Sequence, residues 1–149
     1  NNTSPTSSVF TVATSGAVNG SAKNIVAYCF AAVKGYSVFG SYTGNGSADG
    51  PFIYTGFRPR WIVVKPTSIS GDWLMHDTTR DPYNVSDLEL QADTSSAEYN
   101  TSSAGAGDRF DILSNGFKNR SSNAGANGSG TTYIYMAFAE NPFNISRAR

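Results

Sequence analysis

Residues 131–143, TTYIYMAFAENPF, constrain what this chain can fold into more than any other stretch. The run is apolar and aromatic-rich, and it leaves no room for a turn before Glu140. Successive side chains of an extended chain point to opposite faces. Tyr133, Tyr135 and Ala137 therefore line one face, and Ile134, Met136 and Phe138 the other. A strand apolar on both faces belongs in the middle of a packed sheet. The run also has an earlier counterpart. Asn19-Gly20-Ser21 and residues 25–31 align with Asn127-Gly128-Ser129 and residues 133–139, at a constant offset of 108. Over 19–31 against 127–139, five of thirteen positions are identical. Thirteen residues alone do not establish a repeat. Both copies nevertheless set an N-G-S turn before an apolar strand, so the expectation is a β domain with two like central strands, one from each end.

The rest of the chain reads as short strands between turns. Residues 1–8, NNTSPTSS, cannot form a core and are expected to be an extended arm. Val9, Phe10, Thr11, Val12 and Ala13 form a short isolated strand, followed by a Gly/Ser/Ala-rich linker over 14–24. A lone strand cannot bury its apolar side chains by itself. It must dock on its own domain or on a neighbour, and docking into a neighbour's sheet edge is β-strand addition. Strands are then expected at 25–33, 37–43, 52–54, 61–65 and 72–77. From 78 to 104 the pattern weakens to Leu88 and Leu90, which reads as a long excursion. Residues 110–113 and 116–118 form a hairpin around Ser114-Asn115, with Asn115-Gly116 as the turn dipeptide. Helical spacing never holds for ten residues. About nine short strands predict an all-β fold, a β-sandwich of jelly-roll type. The division expected is an arm and linker over 1–23 and a sandwich over 24–149.

Composition excludes several classes. The 149 residues carry 15% charged side chains and no net charge, with no run of Arg or Lys, so nucleic acid is not an expected partner. No apolar run is long enough to span a bilayer as a helix. The chain starts at Asn1 without Met, as expected of a chain whose leader was removed or of a piece of something longer. The single cysteine, Cys29, lies inside an expected central strand and is expected to be a buried small hydrophobe.

Nine of the thirteen asparagines begin an N-x-S/T sequon: Asn1, Asn2, Asn19, Asn45, Asn84, Asn100, Asn119, Asn127 and Asn144. Turn chemistry accounts for the three in N-G-S, at Asn19, Asn45 and Asn127. It accounts less well for Asn84, Asn119 and Asn144. The excess points to covalent glycans and a location outside the cell, in a secreted filament or on a virion surface.

Residues 41–46, 54–59 and 61–65, then Trp73-Leu74, Asp77, Arg80, residues 114–117, Asn127 and 133–143, together resemble a domain of large structural proteins of tailed bacteriophages, abundant in aquatic phages. The resemblance covers roughly residues 37–143, and residues 16–36 resemble the end of a preceding copy. It implies one bead of a virion-associated or fibre-like chain. Its motifs are glycines, aromatics and a strand ladder, so they carry a fold more than an activity. The free arm departs from that pattern and is more like a self-assembling subunit.

No active site is expected. His76 is the only histidine, with Asp72, Asp77 and Asp81 nearby and Arg80 between, and their spacing is not that of metal ligands. The expectation is that Asp77 and Arg80 pair at a strand end while His76 fills a polar pocket. Residues 44–50 are glycine-rich but miss the phosphate-loop spacing, and no helix follows. No catalytic residue, metal or cofactor is therefore assigned. Of the aromatics, Tyr83 beside Pro82 is the one expected to be exposed and able to stack on a sugar. Two functions result: a non-enzymatic extracellular filament or fibre subunit joined head-to-tail to copies of itself, or a carbohydrate- or receptor-binding, adhesin-like module.

Overall fold

The computed structural model describes residues 3–107 and 109–143. It divides into two compact units, with the boundary after Phe30. The boundary lies later than the one expected at 23, because residues 25–30 join no sheet.

The first unit holds one four-residue helical turn, α1 (Gly16–Asn19), capped by the Ser15 side chain, which accepts from Ala17 N. The expected strand at 9–13 is not formed, Val9 bonding back to Thr6 instead, and the linker is broken by α1. The expected central strand at 25–33 is not formed. Only Val33 makes a single bridge, to Ser37. Periodicity reports apolarity, whereas a strand also needs a partner for its N–H and C=O groups. Cys29 is consequently exposed rather than buried.

The second unit is all-β. Among the described residues it has nine strands in two antiparallel sheets. The strands are β1 (Ser37–Thr43), β2 (Phe52–Tyr54), β3 (Pro59–Pro66), β4 (Leu74–Asp77), β5 (Leu88–Gln91), β6 (Tyr99–Asn100), β7 (Phe110–Leu113), β8 (Gly116–Asn119) and β9 (Thr132–Ala139). A second helical turn, α2 (Ala124–Asn127), precedes β9. The larger sheet runs β1-β9-β3-β4-β5-β6 and the smaller β2-β8-β7. β9 lies between β1 and β3, opposite Val38 and Ile62 at Ala137, as its two apolar faces predict. The hairpin of β7 and β8 turns through Ser114-Asn115, with Leu113 opposite Gly116.

The sheets meet in one core. Ile62, Val64, Leu74, Tyr133 and Ala137 come from the larger sheet, Ile53, Phe110, Ile112 and Phe117 from the smaller, and Ala126 from α2. Fully burying a large apolar side chain is worth roughly 1.5–3 kcal/mol, so each of the large residues in this cluster contributes on that scale. The arrangement is compatible with a jelly-roll sandwich. The expected excursion over 78–104 instead contains β5 and β6, which extend the larger sheet beyond β4.

Candidate functional site

The larger sheet ends in an open edge. Ala139 N donates to Tyr36 O and Gly44 N to Thr131 O, so the even-numbered residues of β1 turn their backbone toward β9. Hydrogen-bonded positions alternate along an antiparallel ladder. Ser41 and Thr43 therefore direct N–H and C=O away from β9, on a side where no further strand lies among the described residues. The other edges are short or closed. β2 has three residues and β6 two. β7 is sealed: Ser86 N donates to Phe110 O at 2.7 Å. Next to it, Asn84 accepts from Ile112 N and donates to Ile112 O, at 2.8 and 3.1 Å. An exposed long edge is a template for another chain, and β1 is the one that offers it.

The face of the larger sheet turned away from the core is also apolar. Register places Phe39, Met136, Val63 and Met75 in one row across four strands. A groove of about 280 Å³ beside this row is lined by Phe39, Val63, Lys65, Trp73, Ile134 and Met136.

The docking residues predicted from sequence lie in the first unit. Val9, Phe10 and Val12 are 62, 49 and 41% exposed. Thr11 is exposed and Ala13 half-buried. All are outside any strand, and Val9, Phe10 and Val12 keep much of their surface exposed.

The polar cluster around His76 is of another kind. β4 and β5 lie side by side, and their core-facing positions bring His76 and Glu89 together between the sheets. His76 and Glu89 are wholly buried and Arg109 is nearly so. Arg109 Nε donates to Glu89 Oε2 at 2.8 Å, and Tyr99 donates its hydroxyl to Glu89 Oε1. His76 Nε2 stands 3.4 Å from Glu89 Oε2 without a hydrogen bond. Its Nδ1 lies 3.4 Å from Ser86 Oγ. Burial pushes the His76 pKa down, against an opposing pull from Glu89. Burial would raise Glu89, but His76, Tyr99 and Arg109 outweigh it and hold the carboxyl at about 2. This is a buried ion network joining β5 to the residue before β7, with the half-buried Tyr99 at its rim. Asp77 pairs with Arg80 at the end of β4, as the sequence predicts, and Arg80 also reaches Glu98. Asp72 accepts from Gln91 and Asp81 from the backbone of Asp87, so the carboxylates near His76 are dispersed. No group of three His, Cys, Asp or Glu able to hold a metal occurs among the described residues. No helix there is long and apolar enough to cross a membrane.

Two sequons are overturned. Asn119 and Asn127 are fully buried. Asn119 Nδ2 donates to Ala126 O at 2.9 Å. Asn127 Nδ2 donates to Asn45 Oδ1, Ser47 O and Ser121 O at 2.9, 2.8 and 2.8 Å. Its Oδ1 accepts from Asn45 N, so this one amide ties the loop after β1 to α2. Neither site has room for a glycan. Asn19, Asn45 and Asn84 are exposed and Asn100 is half-buried. Asn1, Asn2 and Asn144 lie outside the described residues. Tyr83 is 80% exposed, as expected. Sequence reasoning missed the β1 edge, since no residue type marks an edge strand.

A family model described as Domain of unknown function (DUF7483) matches residues 1–142, and the chain belongs to that family. No curated protein and no solved structure matches.

Proposed function

We propose that this chain is a non-enzymatic structural protein, a subunit of an extracellular filament or virion-associated fibre. Residues 9–13 of one subunit add as a strand to a neighbour's sheet edge. The observation that carries this reading is the exposure of Val9, Phe10 and Val12 in a segment that joins no strand. The open β1 edge is the complementary feature, with Ser41 and Thr43 offering backbone groups to an incoming strand. The resemblance of residues 37–143 to tailed-phage structural domains supports the same reading. A head-to-tail contact of this kind is heterologous and propagates unless its rotation closes. Negative-stain imaging of the purified chain, with and without residues 1–13, tests it. Filaments that vanish with the truncation are expected. A dispersed monomer at high concentration, or unchanged filaments after truncation, overturns it.

A second reading has one observation behind it. Tyr83, beside exposed Pro82, presents a bare ring of the sort that stacks on sugars. Glycan-array binding that is lost in Tyr83→Ala would favour a carbohydrate-binding module.

A further inference from the structure

The turn before β1 sends the chain back along the open edge. Val33 N donates to Ser37 O at 3.1 Å and Ser37 N to Val33 O at 2.9 Å, an antiparallel bridge. Ser37 makes it on the side of β1 away from β9, the side to which Ser41 and Thr43 also direct their backbone groups. Residues 34–36 connect the pair, and a loop of three is common in hairpins. Tyr36 N donates to Val33 O at 2.9 Å, and Gly35 adopts φ +75°, which glycine takes without steric cost. The end of the sheet holds this turn in place. Tyr36 O accepts from Ala139 N at 2.8 Å and Gly35 O from Phe143 N at 3.3 Å, and the Tyr36 ring stacks on Phe143. Ser37 Oγ donates to Ala31 O at 3.1 Å, so the chain ahead of Val33 is already drawn toward the strand. All these residues belong to the second unit.

One rung of a hairpin fixes the register of the rest. With Val33 opposite Ser37, Ala31 falls opposite Phe39, Cys29 opposite Ser41 and Ala27 opposite Thr43. Residues 27–33 match β1 in length, so this course reaches the end of β1. Cys29 and Ala27 would there exchange backbone bonds with Ser41 and Thr43. Nothing in the segment, AYCFAAV, resists extension: it has no Gly or Pro, and its Tyr, Phe and Val favour strands. Phe30 falls opposite Gly40, a ring across from a strand glycine. Tyr28 and Phe30 are 82 and 58% exposed, and closure would cover part of that surface.

We infer that residues 27–33 are a strap that zips onto the β1 edge of their own chain and closes it to incoming strands. The structure shows the strap open, with only its first rung made. The strap and residues 9–13 of a neighbour contend for the same backbone groups on Ser41 and Thr43. Closure therefore regulates the assembly proposed above, and this consequence rests on that reading.

The test uses the native thiol. Ser41 and Thr43 are both exposed. A residue hydrogen-bonded directly opposite has its Cα about 5.5 Å away, within the span of a disulfide. In the dilute full chain with oxidised glutathione, Ser41→Cys should form a disulfide to Cys29 inside one monomer, read by intact mass and peptide mapping. Thr43→Cys is the register control. Its diagonal neighbour stands about 7–8 Å off, and it should close about tenfold or more slowly. Gly35→Val has open space but a backbone angle that valine rarely adopts, and should slow closure in the Ser41→Cys background. No disulfide within the monomer, equal rates at positions 41 and 43, or closure indifferent to Gly35→Val overturns the inference. The oxidised Ser41→Cys chain should fail to assemble, and its reduced form should assemble as the parent does. An oxidised chain that assembles like the reduced one shows that the strap does not close the edge. Filaments that depend on residues 1–13, with no selective disulfide, sink the strap and spare the assembly reading. A selective disulfide in a chain whose parent never assembles does the reverse.

Discussion

Arg109 donates its Nε–H to Glu89 Oε2 at 2.8 Å, with both side chains out of reach of water. A buried charge left without its partner is far costlier than the intact pair is stabilising. Arg109→Met should therefore destabilise the second unit by about 3–5 kcal/mol. The double variant Arg109→Met with Glu89→Leu should recover part of that loss. Chemical denaturation monitored by tryptophan fluorescence measures both, and a single variant within 1 kcal/mol of the parent, about the size of an exposed ion pair, would refute the arrangement.

The same cluster sets the response to acid. The fold keeps His76 neutral, with a pKa below the ordinary 6.5. The unfolded chain takes up that proton first, so stability declines as pH falls below 6.5. Glu89 is held at about 2 against an ordinary 4.5, so its contribution is full above 4.5 and is lost as pH drops from there to about 2. Two acid legs are expected in Tm against pH. His76→Gln should remove the upper leg and keep the lower. A Tm that stays flat until the carboxylate range contradicts the depressed histidine.

Much of this fold was legible in the sequence because local pattern and tertiary role agree. β1, β3 and the β7–β8 hairpin follow from alternation and from Asn115-Gly116. β5 was not legible as a sheet strand, since its inward residue is Glu89, a carboxylate whose partner Arg109 lies twenty residues on. Alternation with a charge on the core side looks like a loop. Residues 25–33 failed in the opposite way, apolar enough for a central strand but outside both sheets. The sequons at Asn119 and Asn127 read as modification sites because a motif carries no burial. Their carboxamides are structural, and the only sequence hint was the N-G-S turn at Asn127.

Burial of those two amides predicts where glycans cannot be. Peptide mapping of the native protein should find Asn119 and Asn127 bare, with any carbohydrate confined to other sequons. Asn127→Ala leaves the Asn45 N–H and three acceptors without their partner. At a net 0.5–1.5 kcal/mol for each of these four bonds, a loss of about 2–6 kcal/mol is expected by thermal or denaturant melting.

Cys29 should react with a maleimide in the native full chain about as fast as in denaturant, because it is exposed. Protection in the dilute monomer would mean that residues 25–31 are already covered within one chain.

Gly50 lies where the loop after β1 passes over β8. A Cβ there would come within 2.7 Å of Asn119 O and 2.8 Å of Asn127 Nδ2. Both are fixed groups, so Gly50→Ala should cost about 1–3 kcal/mol by overpacking. Gly16→Ala, with nothing within 4 Å, is the matched control and should change stability little. Equal melting of the two variants would show that the loop yields freely.

The last prediction separates assembly from folding at the β1 edge. Proline removes a backbone N–H and is tolerated on edge strands when that N–H faces solvent. In β1 the N–H of Ser41 points away from β9, whereas that of Tyr42 points toward it, given the bonds at Tyr36 and Gly44. Ser41→Pro should therefore leave the ladder to β9 intact and lower stability by about 1 kcal/mol or less, as a substitution away from buried groups. It should also block any strand from adding along the edge, so filaments or concentration-dependent oligomers disappear. Tyr42→Pro is the contrasting variant. It breaks the ladder beside Tyr133, on which the Tyr42 ring stacks at 5.0 Å, and should unfold the second unit. Sedimentation velocity and thermal melting, run on both variants, read assembly and folding separately. A folded Ser41→Pro chain that assembles as the parent does would show that incoming strands do not use β1.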